Sequence, residues 1–234
     1  MNTKTDSTAA WPPGYAVHPR TAGPDAAIVA AFRSVPAAHA SDCLGRSVGA
    51  IGLVAYHADL KLVLCGPAIT VRVRPGDNLM LHKAMLMAEP GDVIVVDGGG
   101  DCTQALIGGL MRTTALARGI AGFVIDGAIR DIVEWAGGGL PIYARGHTHR
   151  GPSKEGPGEV NVPIACAGLS VMPGDLVLGD ADGVLAIPAA EAAALLPKVQ
   201  AKARQEERVR EANRSGTPDP ERFDALLRAR GCPV

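Results

Sequence analysis

Aromatic side chains are scarce in this chain of 234 residues: Phe, Trp and Tyr together make up 3% of the sequence. Apolar residues nevertheless reach 47%. The core must therefore be built from Ala, Val, Leu and Ile, which is typical of sheets covered by helices. The length suits one domain with extensions.

Several classes of protein are disfavoured by what else is missing. The net charge of −1 gives no electrostatic reason to bind nucleic acid or a membrane surface. No apolar run reaches membrane-spanning length, and residues 1–20 lack the apolar segment of a secretion signal. Five cysteines without a CxxC pair indicate reduced thiols rather than a disulfide framework. We therefore expect a cytoplasmic protein with no nucleic-acid or membrane partner.

The pattern of apolar residues and turn residues predicts alternating helices and strands. The predicted helices cover residues 24–33, 40–45, 78–88, 103–118 and 189–213, with one more short helix after residue 215. The predicted strands cover residues 61–74, 93–96, 121–125, 142–145 and 164–171, and residues 175–187 are predicted to form a hairpin. The segment from strand 93–96 to strand 121–125 is a βαβ unit. Pro197 is predicted to kink or split the last long helix.

Adjacent Arg130 and Asp131 follow the second strand of this βαβ unit. A guanidinium presents a planar fork to a carboxylate or an oxo group. A carboxylate offers hard oxygen atoms to a divalent cation. A Gly-rich turn and a helix start lie upstream in the same unit, where free backbone N–H groups can hold an anion. The parts of a small oxo-acid site are therefore present, although an isolated Arg-Asp pair is more often a surface ion pair.

Two other motifs have weaker functional interpretations. The turn DGGGD at 97–101 lacks the spacing of nucleotide-binding loops, so we interpret it as a tight turn between a strand and a helix. His147 and His149 share one face of a strand, but no third ligand nearby completes a metal set. We expect the two histidines to be structural or to lie at the rim of a site.

The chain resembles the class II pyruvate aldolases that cleave 4-hydroxy-4-methyl-2-oxoglutarate and 4-carboxy-4-hydroxy-2-oxoadipate. These enzymes share their fold with the proteins named regulators of ribonuclease activity A. The resemblance covers roughly residues 25–210 and rests on the following segments: SDCLGR (41–46), GPAITVR (66–72), PGDNLMLHKA (75–84), PGDVIVVDGGGD (90–101), DGAIRD (126–131), YARGHTHRGPSKEGPGEVNVPI (143–164) and PGDLVLGDADGVLAIP (173–188).

The resemblance implies an α/β fold of the β/β/α swivelling type. We expect a flexible N-terminal arm over residues 1–23, a single core domain over 24–188 and a C-terminal helical extension over 189–234. It further implies a homotrimer or a hexamer with sites at subunit boundaries. A carboxylate from a neighbour's C-terminal helix approaches such sites, and Glu206 and Glu207 are the nearest candidates here.

The resemblance also implies an activity and the residues that carry it. The turn that presents backbone N–H groups to the oxo-acid matches Gly108, Gly109, Leu110 and Met111. The substrate-holding Arg matches Arg130, and the metal-binding Asp matches Asp131. The implied cofactor is Mg²⁺ or Mn²⁺. The implied reaction is retro-aldol cleavage of a 4-hydroxy-2-oxo acid to pyruvate, with decarboxylation of oxaloacetate and a role in the degradation of aromatic compounds.

Position 109 departs from the aldolase pattern. The aldolases carry an acid there, which helps to hold the metal, whereas this chain and the non-enzymatic regulators have Gly. We therefore expect weak metal activation, and tighter metal binding when Gly109 is replaced by Asp or Glu. The same residue keeps an alternative open, in which the protein is a non-catalytic regulator that binds a ribonuclease or another partner.

Overall fold

The computed structural model describes residues 11–219 and 221–234. Within them the strands are β1 (Tyr15–Val17), β2 (Val54–Ala55), β3 (Leu64–Val73), β4 (Val93–Asp97), β5 (Ala105–Ile107), β6 (Gly122–Ile129), β7 (Ile142–His147), β8 (Gly158–Val160), β9 (Ile164–Cys166), β10 (Leu169–Val171), β11 (Leu176–Asp180) and β12 (Gly183–Ile187). The helices are α1 (Ala26–Phe32), α2 (Ala37–Cys43), α3 (Leu79–Met87), α4 (Gly109–Ala117), α5 (Ile132–Ala136), α6 (Ala189–Arg214) and α7 (Glu221–Arg228).

Four parallel strands, in the order β3, β4, β6 and β7, form the centre of a mixed sheet. β8 is antiparallel to the second half of β3, and β1 extends the sheet beyond β8. β2 closes the opposite edge against β7. The hairpin of β11 and β12 continues from the first half of β3, while β9 and β10 form a separate two-stranded sheet.

The central strands are buried on both faces, and their side chains alternate between two apolar clusters, as the pleat of a strand requires. One cluster includes Ile69, Ile94, Phe123 and Ile125 and packs against α3, α4 and α5. The other includes Ala68, Val93, Val95 and Val124 and packs against β9 and β10.

A third apolar cluster joins α1, α2 and α6 to the hairpin of β11 and β12. The layers are therefore helices α3–α5, the central sheet, a second layer of strands, and helices α1, α2 and α6. No helix in the described part of the chain is both long enough and apolar enough to span a bilayer. All five cysteines are free.

Three of the predicted elements need correction. Residues 103–118 do not form one helix: β5 precedes α4, and Gly108 separates them. Residues 164–171 form the hairpin of β9 and β10 rather than one strand. Pro197 does not split α6, which continues from Ala189 to Arg214 because Leu195 and Val199 on either side of it pack in the core; the predicted kink stays a prediction.

The predicted N-terminal arm also needs correction where it is described. Residues 1–10 of the arm lie outside the described residues. Tyr15–Val17 pair in parallel with β8, and Arg20 forms a bidentate contact with the buried carboxylate of Asp92 at 2.7 and 2.8 Å. This part of the arm is therefore an edge strand of the sheet. Its isolated sequence gave no strand signal because its three residues depend on a non-local partner.

Candidate active site

Arg130 and Asp131 leave the carboxyl end of β6, where ligand sites of parallel sheets form. β6 is fully buried and paired on both sides, so its end is fixed. The Arg130 N–H donates to the carbonyl of Ile107 at 3.0 Å, and the indole N–H of Trp135 donates to the Arg130 carbonyl at 3.0 Å. The backbone that presents both side chains is thus held by two hydrogen bonds.

β5 brings the second half of the predicted site, the turn at Gly108–Met111, beside the first half, Arg130 and Asp131. Where β4 ends, β5 takes over the pairing with β6, and Ile107 stands opposite Ile129. The next residues of the two strands, Gly108 and Arg130, are consequently side by side. A Cβ atom on Gly108 would lie 2.9 Å from Cγ of Arg130 and would also collide with the Asp131 carboxylate. Gly108 is therefore required by close approach, since its φ of −151° is ordinary extended backbone.

Asp131 has an unusual backbone and an incompletely used carboxylate. Its φ of 59° and ψ of 42° lie in the left-handed region, which costs roughly 1 kcal/mol for a non-glycine residue. Its Oδ2 accepts a hydrogen bond from the Gly109 N–H at 2.8 Å. Among the described residues, none donates a hydrogen bond to its Oδ1. That oxygen is available to a cation or a ligand.

The Arg130 guanidinium is similarly uncommitted. Its Nε lies 3.7 Å from Oδ2 of Asp131, too far for a good hydrogen bond, and 41% of its side chain is exposed. A Cβ atom on Gly151 would lie 2.9 Å from its Nη1, so Gly151 leaves room for the guanidinium. No acceptor in the described residues takes a hydrogen bond from the guanidinium, so its donors are free for an anionic ligand.

The turn at Gly108–Met111 offers fewer free N–H groups than the sequence suggested. Gly109 N–H donates to Asp131, and Met111 N–H donates to the Gly108 carbonyl at 3.1 Å. Within the residues described here, no acceptor meets the Leu110 N–H. Because it lies in the first turn of α4, it carries part of the positive end of the helix dipole.

A first cleft, with a volume of about 140 Å³, opens beside these groups. Its lining combines both halves of the predicted site with residues from α3 and the loop after β7: Asn78, His82, Leu106, Ile107, Gly108, Leu110, Met111, Arg130, Asp131, Pro152 and Lys154. The predicted residues are therefore brought together in one place, except that Gly109 does not contribute to the lining.

Three residues of this lining were not identified from the sequence: Asn78, His82 and Lys154. Asn78 is 2% exposed; its amide N–H₂ donates to the Leu106 carbonyl at 2.9 Å, whereas its Oδ1 has no donor in the described part of the chain. Burial, and then the positive charge of Lys154, lower the pKa of the His82 imidazole. The i, i+4 spacing of Asn78 and His82 in the motif NLMLH is the signal that could have identified them.

A second cleft, of about 490 Å³, shares Arg130 and Asp131 with the first. It is lined by residues 130–134 and 147–149. His147 ends β7, and its Nδ1 is hydrogen-bonded to the Tyr56 hydroxyl at 3.1 Å. Across residues 11–219 and 221–234, no group of three His, Cys, Asp or Glu side chains is close enough to hold a metal. Both histidines are exposed and line this cleft, and the expectation that they are structural or lie at the rim of a site stays a prediction.

The donor atoms of the first cleft fit the predicted cation. The free Oδ1 of Asp131 and the unpartnered Oδ1 of Asn78 are hard oxygen atoms, the class that Mg²⁺ and Mn²⁺ bind.

Glu206 and Glu207 of α6 are engaged within their own chain. Glu206 contacts His39 at 2.7 Å and Lys202 at 3.2 Å, and Glu207 contacts Arg210 at 2.8 Å.

Comparison with known proteins identifies the family. The family model described as RraA-like, Aldolase/RraA, matches residues 37–186, which is more than half of the chain. The chain belongs to the RraA-like family. The match includes Gly108–Met111, Arg130 and Asp131, and it leaves out β1, α1, α6 and α7.

Two relatives are named for an enzyme of this family. One, from Halalkalibacterium halodurans, is 44% identical over 181 residues, covering 75% of this chain and 83% of its own length. Its name, 4-hydroxy-4-methyl-2-oxoglutarate aldolase, is itself provisional. A Thermus thermophilus protein carries the same name without that qualification and is 39% identical over 112 residues, covering 48% of this chain and 68% of its own.

A similar solved structure carries a different name. It is the crystal structure of Streptomyces coelicolor RraAS2, described as an unusual member of the RNase ES inhibitor RraA protein family. It superposes with a TM-score of 0.74 at 30% identity, covering 81% of this chain and 98% of its own. The predicted mixed α/β single-domain fold is thereby confirmed, while the names divide between an aldolase and an inhibitor.

Proposed function

We propose that this protein is a divalent-metal-dependent carbon-carbon lyase. Its substrate would be a 4-hydroxy-2-oxo di- or tricarboxylic acid, cleaved to pyruvate, and oxaloacetate would be decarboxylated at the same site. The observation that carries the proposal is the adjacent placement of an uncommitted guanidinium and a carboxylate with a free oxygen, at the end of β6. The relatives named as aldolases support the same reaction class.

The cofactor we propose is Mg²⁺ or Mn²⁺, which Asp131 would hold through Oδ1. When bound, the cation supplies a Lewis acid that polarises the C2 carbonyl of the oxo-acid. One carboxylate is a small number of protein ligands for a cation, but Mg²⁺ usually keeps several water molecules as ligands. The Asp131 carboxylate is kept in position by the Gly109 N–H and by the left-handed backbone.

As the C4 hydroxyl loses its proton and becomes a carbonyl, the C3–C4 bond breaks and its electron pair stays on the pyruvate fragment as an enolate, which gains a proton at C3 to give pyruvate. The Arg130 guanidinium and the Leu110 N–H would stabilise the negative charge where it develops. His82 lines the first cleft, and its lowered pKa favours the neutral imidazole that can accept a proton, so we assign to it the proton of the C4 hydroxyl. Lys154 adds a positive charge that suits a substrate with more than one carboxylate.

We also propose that the protein assembles as a homotrimer or a hexamer. Two aliphatic side chains beside the site support this: Leu110 is 86% exposed and Val133 is 83% exposed. A second copy that covered them would also shield the clefts from water. Light scattering at micromolar protein concentration should give a multiple of 24.0 kDa, and a stable species of that mass would contradict the proposal.

The second candidate is a non-catalytic protein that binds a ribonuclease or another partner. Gly109 favours it, together with the inhibitor name of the Streptomyces coelicolor structure. A role in the degradation of aromatic compounds belongs to the lyase proposal and rests on the family resemblance.

Pyruvate release from oxaloacetate, measured with and without added Mg²⁺, separates the two candidates. The lyase should release pyruvate faster than the buffer with the same Mg²⁺ concentration, and EDTA should abolish the difference. Release equal to the protein-free control, across Mg²⁺ and Mn²⁺ and several 4-hydroxy-2-oxo acids, would favour the partner-binding candidate.

A further inference from the structure

The loop between β7 and β8 brings Lys154 to the first cleft. This loop covers residues 148–157, and its Pro152 and Lys154 line the first cleft together with His82. The side chain of Lys154 is exposed, and in the described part of the chain its ammonium has neither a hydrogen-bond acceptor nor an ion-pair partner. The charge of Lys154 is therefore available to an anionic group of a ligand.

A buried carboxylate holds both neighbours of Lys154. Asp77 is 1% exposed, and its Oδ2 accepts hydrogen bonds from the Ser153 hydroxyl and from the Glu155 N–H, both at 2.7 Å. Its Oδ1 accepts from the Leu79 N–H at 2.9 Å, at the beginning of α3. Burial raises the pKa of the Asp77 carboxyl, but these hydrogen bonds together lower it below its usual value, so the carboxylate stays ionised at neutral pH. Asp77 therefore joins the start of α3 to the two residues that flank Lys154.

Tyr15 of the N-terminal strand β1 holds the other side of the same residue. The Tyr15 hydroxyl donates a hydrogen bond to the Glu155 carbonyl. The Tyr15 ring lies against Gly156, where a Cβ atom would collide with it. β1 is itself fixed by its parallel pairing with β8, in which Tyr15 stands opposite Gly158. The N–H and the carbonyl of Glu155 are thus held by two different segments of the chain, the turn at Asp77 and β1.

The segment around Lys154 depends on such contacts because glycine residues stand at both of its ends. Gly151 precedes it and Gly156, with a φ of 71°, follows it. Glycine has the greatest backbone freedom of all residues, so contacts from outside must select one conformation of the segment. The contact from Tyr15 comes from outside residues 37–186, the part of the chain that the family model matches. It is therefore a feature of this chain that the family match does not describe.

We propose that Tyr15 is a positioning residue: by holding the Glu155 carbonyl, it keeps Lys154 at the first cleft, where the ammonium binds the substrate carboxylate that is remote from the 2-oxo group. This inference rests on the proposed function and deepens it, because it assigns recognition of the second carboxylate. The remote carboxylate keeps its charge while the C3–C4 bond breaks. Its contact with Lys154 therefore strengthens the binding of substrate and transition state equally, which lowers KM and leaves kcat unchanged.

The test compares the binding of two acids of equal chain length in the presence of Mg²⁺, by isothermal titration calorimetry. 2-Oxoglutarate ends in a carboxylate at C5, whereas 2-oxopentanoate ends in a methyl group. Both lack the C4 hydroxyl that retro-aldol cleavage requires, so the measurement does not depend on turnover. The quantity of interest is the ratio of the two Kd values. Wild type should bind 2-oxoglutarate about tenfold or more tightly than 2-oxopentanoate, because a charge-assisted contact is at stake.

Tyr15→Phe removes one hydroxyl and keeps the ring. It should weaken the binding of 2-oxoglutarate about threefold to fivefold and leave the Kd for 2-oxopentanoate unchanged. Tyr143→Phe is the matched control, because the Tyr143 hydroxyl also donates to a backbone carbonyl, that of Asp180 at 2.9 Å, and Tyr143 lines neither cleft. The control should lower the melting temperature and keep the wild-type ratio of Kd values. An equal loss of affinity for both acids in Tyr15→Phe would contradict the proposal.

A double variant tests whether Tyr15 acts through Lys154. Lys154→Gln should abolish the preference for 2-oxoglutarate. In the Lys154→Gln background, Tyr15→Phe should change neither Kd, since two residues that act through one contact are not additive. Melting curves for every variant establish that each is folded. A further loss of 2-oxoglutarate affinity in the double variant would show that Tyr15 acts by another route and would overturn the inference.

The inference and the proposed function fail in different ways. If wild type releases pyruvate from 4-hydroxy-2-oxoglutarate, Tyr15→Phe should raise KM and keep kcat. If Tyr15→Phe keeps the wild-type KM and the wild-type ratio of Kd values, the role of Tyr15 is wrong while the lyase stands. If wild type releases no pyruvate from any oxo-acid but loses its preference for 2-oxoglutarate in Tyr15→Phe, the lyase is wrong while the positioning role stands. Binding of neither acid by wild type would overturn both.

Discussion

Two Arg-Asp pairs involve β6 or the residues that follow it, and they differ in how many of their hydrogen-bonding atoms have partners in the protein. In the Arg145–Asp126 pair, Nε lies 2.5 Å from Oδ1, and the Asp126 side chain is 9% exposed. The Ala167 N–H occupies its second oxygen at 2.7 Å. In the Arg130–Asp131 pair the shortest separation is 3.7 Å, and the two side chains are 41% and 42% exposed.

The two pairs contain the same residue types and differ in how many of their donor and acceptor atoms have partners in the protein. The Arg145–Asp126 pair joins β6 to β7 and to the hairpin of β9 and β10, and both Asp126 oxygens are used. The Arg130–Asp131 pair leaves the guanidinium and one carboxylate oxygen without partners in the described chain. An ion pair whose donors and acceptors all have partners in the protein stabilises the fold. An ion pair whose donors and acceptors lack such partners can bind a ligand.

The largest expected effect is on catalysis at Asp131. Asp131→Ala should lower metal-dependent pyruvate release from oxaloacetate by about 100-fold or more, since the developing charge loses its positioned cation. Asp131 is on a turn, so the melting temperature should stay close to that of wild type. Steady-state kinetics and a thermal melt measure the two quantities. If Asp131→Ala is as active as the wild-type protein in saturating Mg²⁺, Asp131 does not have the proposed role.

Replacing the guanidinium of each pair by an ammonium sharpens the comparison. Arg130→Lys should lower kcat/KM by an amount equivalent to about 2–4 kcal/mol of transition-state stabilisation, because Lys keeps the charge but loses the bidentate fork. Arg145→Lys is the matched control and should keep kcat/KM while losing about 1 kcal/mol of stability. Equal kcat/KM for Arg130→Lys and wild type would make Arg130 an ordinary surface residue.

Removing the carboxylate of the satisfied pair should affect the fold instead. Asp126→Ala leaves the Ala167 N–H and the Arg145 guanidinium without their acceptor, which should cost about 2–3 kcal/mol of unfolding free energy. Denaturant unfolding measures this, with Asp131→Ala as the control. If both variants lose the same stability, the two pairs do not differ as we describe.

The smallest expected effect comes from a buried histidine. His57 is 3% exposed, its Nδ1 accepts from the Ile142 N–H at 3.2 Å, and burial lowers its pKa. The unfolded chain therefore takes up the proton first as pH falls through about 6.5. The unfolding free energy should decrease below that pH and level off below the folded-state pKa.

Urea unfolding at pH 7.5 and 5.5 measures this change, with His57→Gln as the variant that cannot titrate at this position. The variant should show a smaller decrease between the two pH values than wild type does. His82 adds to the decrease with the same sign, because its pKa is also lowered. A decrease of equal size in wild type and His57→Gln would assign the whole effect to other groups.

The local pattern of apolar residues was sufficient to predict secondary structure where a segment is long and strongly periodic. The apolar runs of β4 and β6, the helix after Asn78 and the long helix α6 all follow from their own residues. It failed for short elements that depend on distant partners. β5 has three residues and an apolar composition that also suits a helix, so only its pairing with β6 makes it a strand.

The sequence by itself indicated sheets covered by helices and the Arg130–Asp131 pair, because strand periodicity and residue chemistry are local, while the layered fold and the turn at Gly108–Met111 were implied by the family resemblance. The tertiary structure alone decided that β5 sets Gly108 against Arg130, that Asn78 and His82 line the same cleft, and that Tyr15 contacts the loop that carries Lys154. These are contacts between segments whose proximity depends on the sheet order and the packing of α3. The spacing of residues along the chain does not contain that information, since many distances in space are compatible with one separation in sequence.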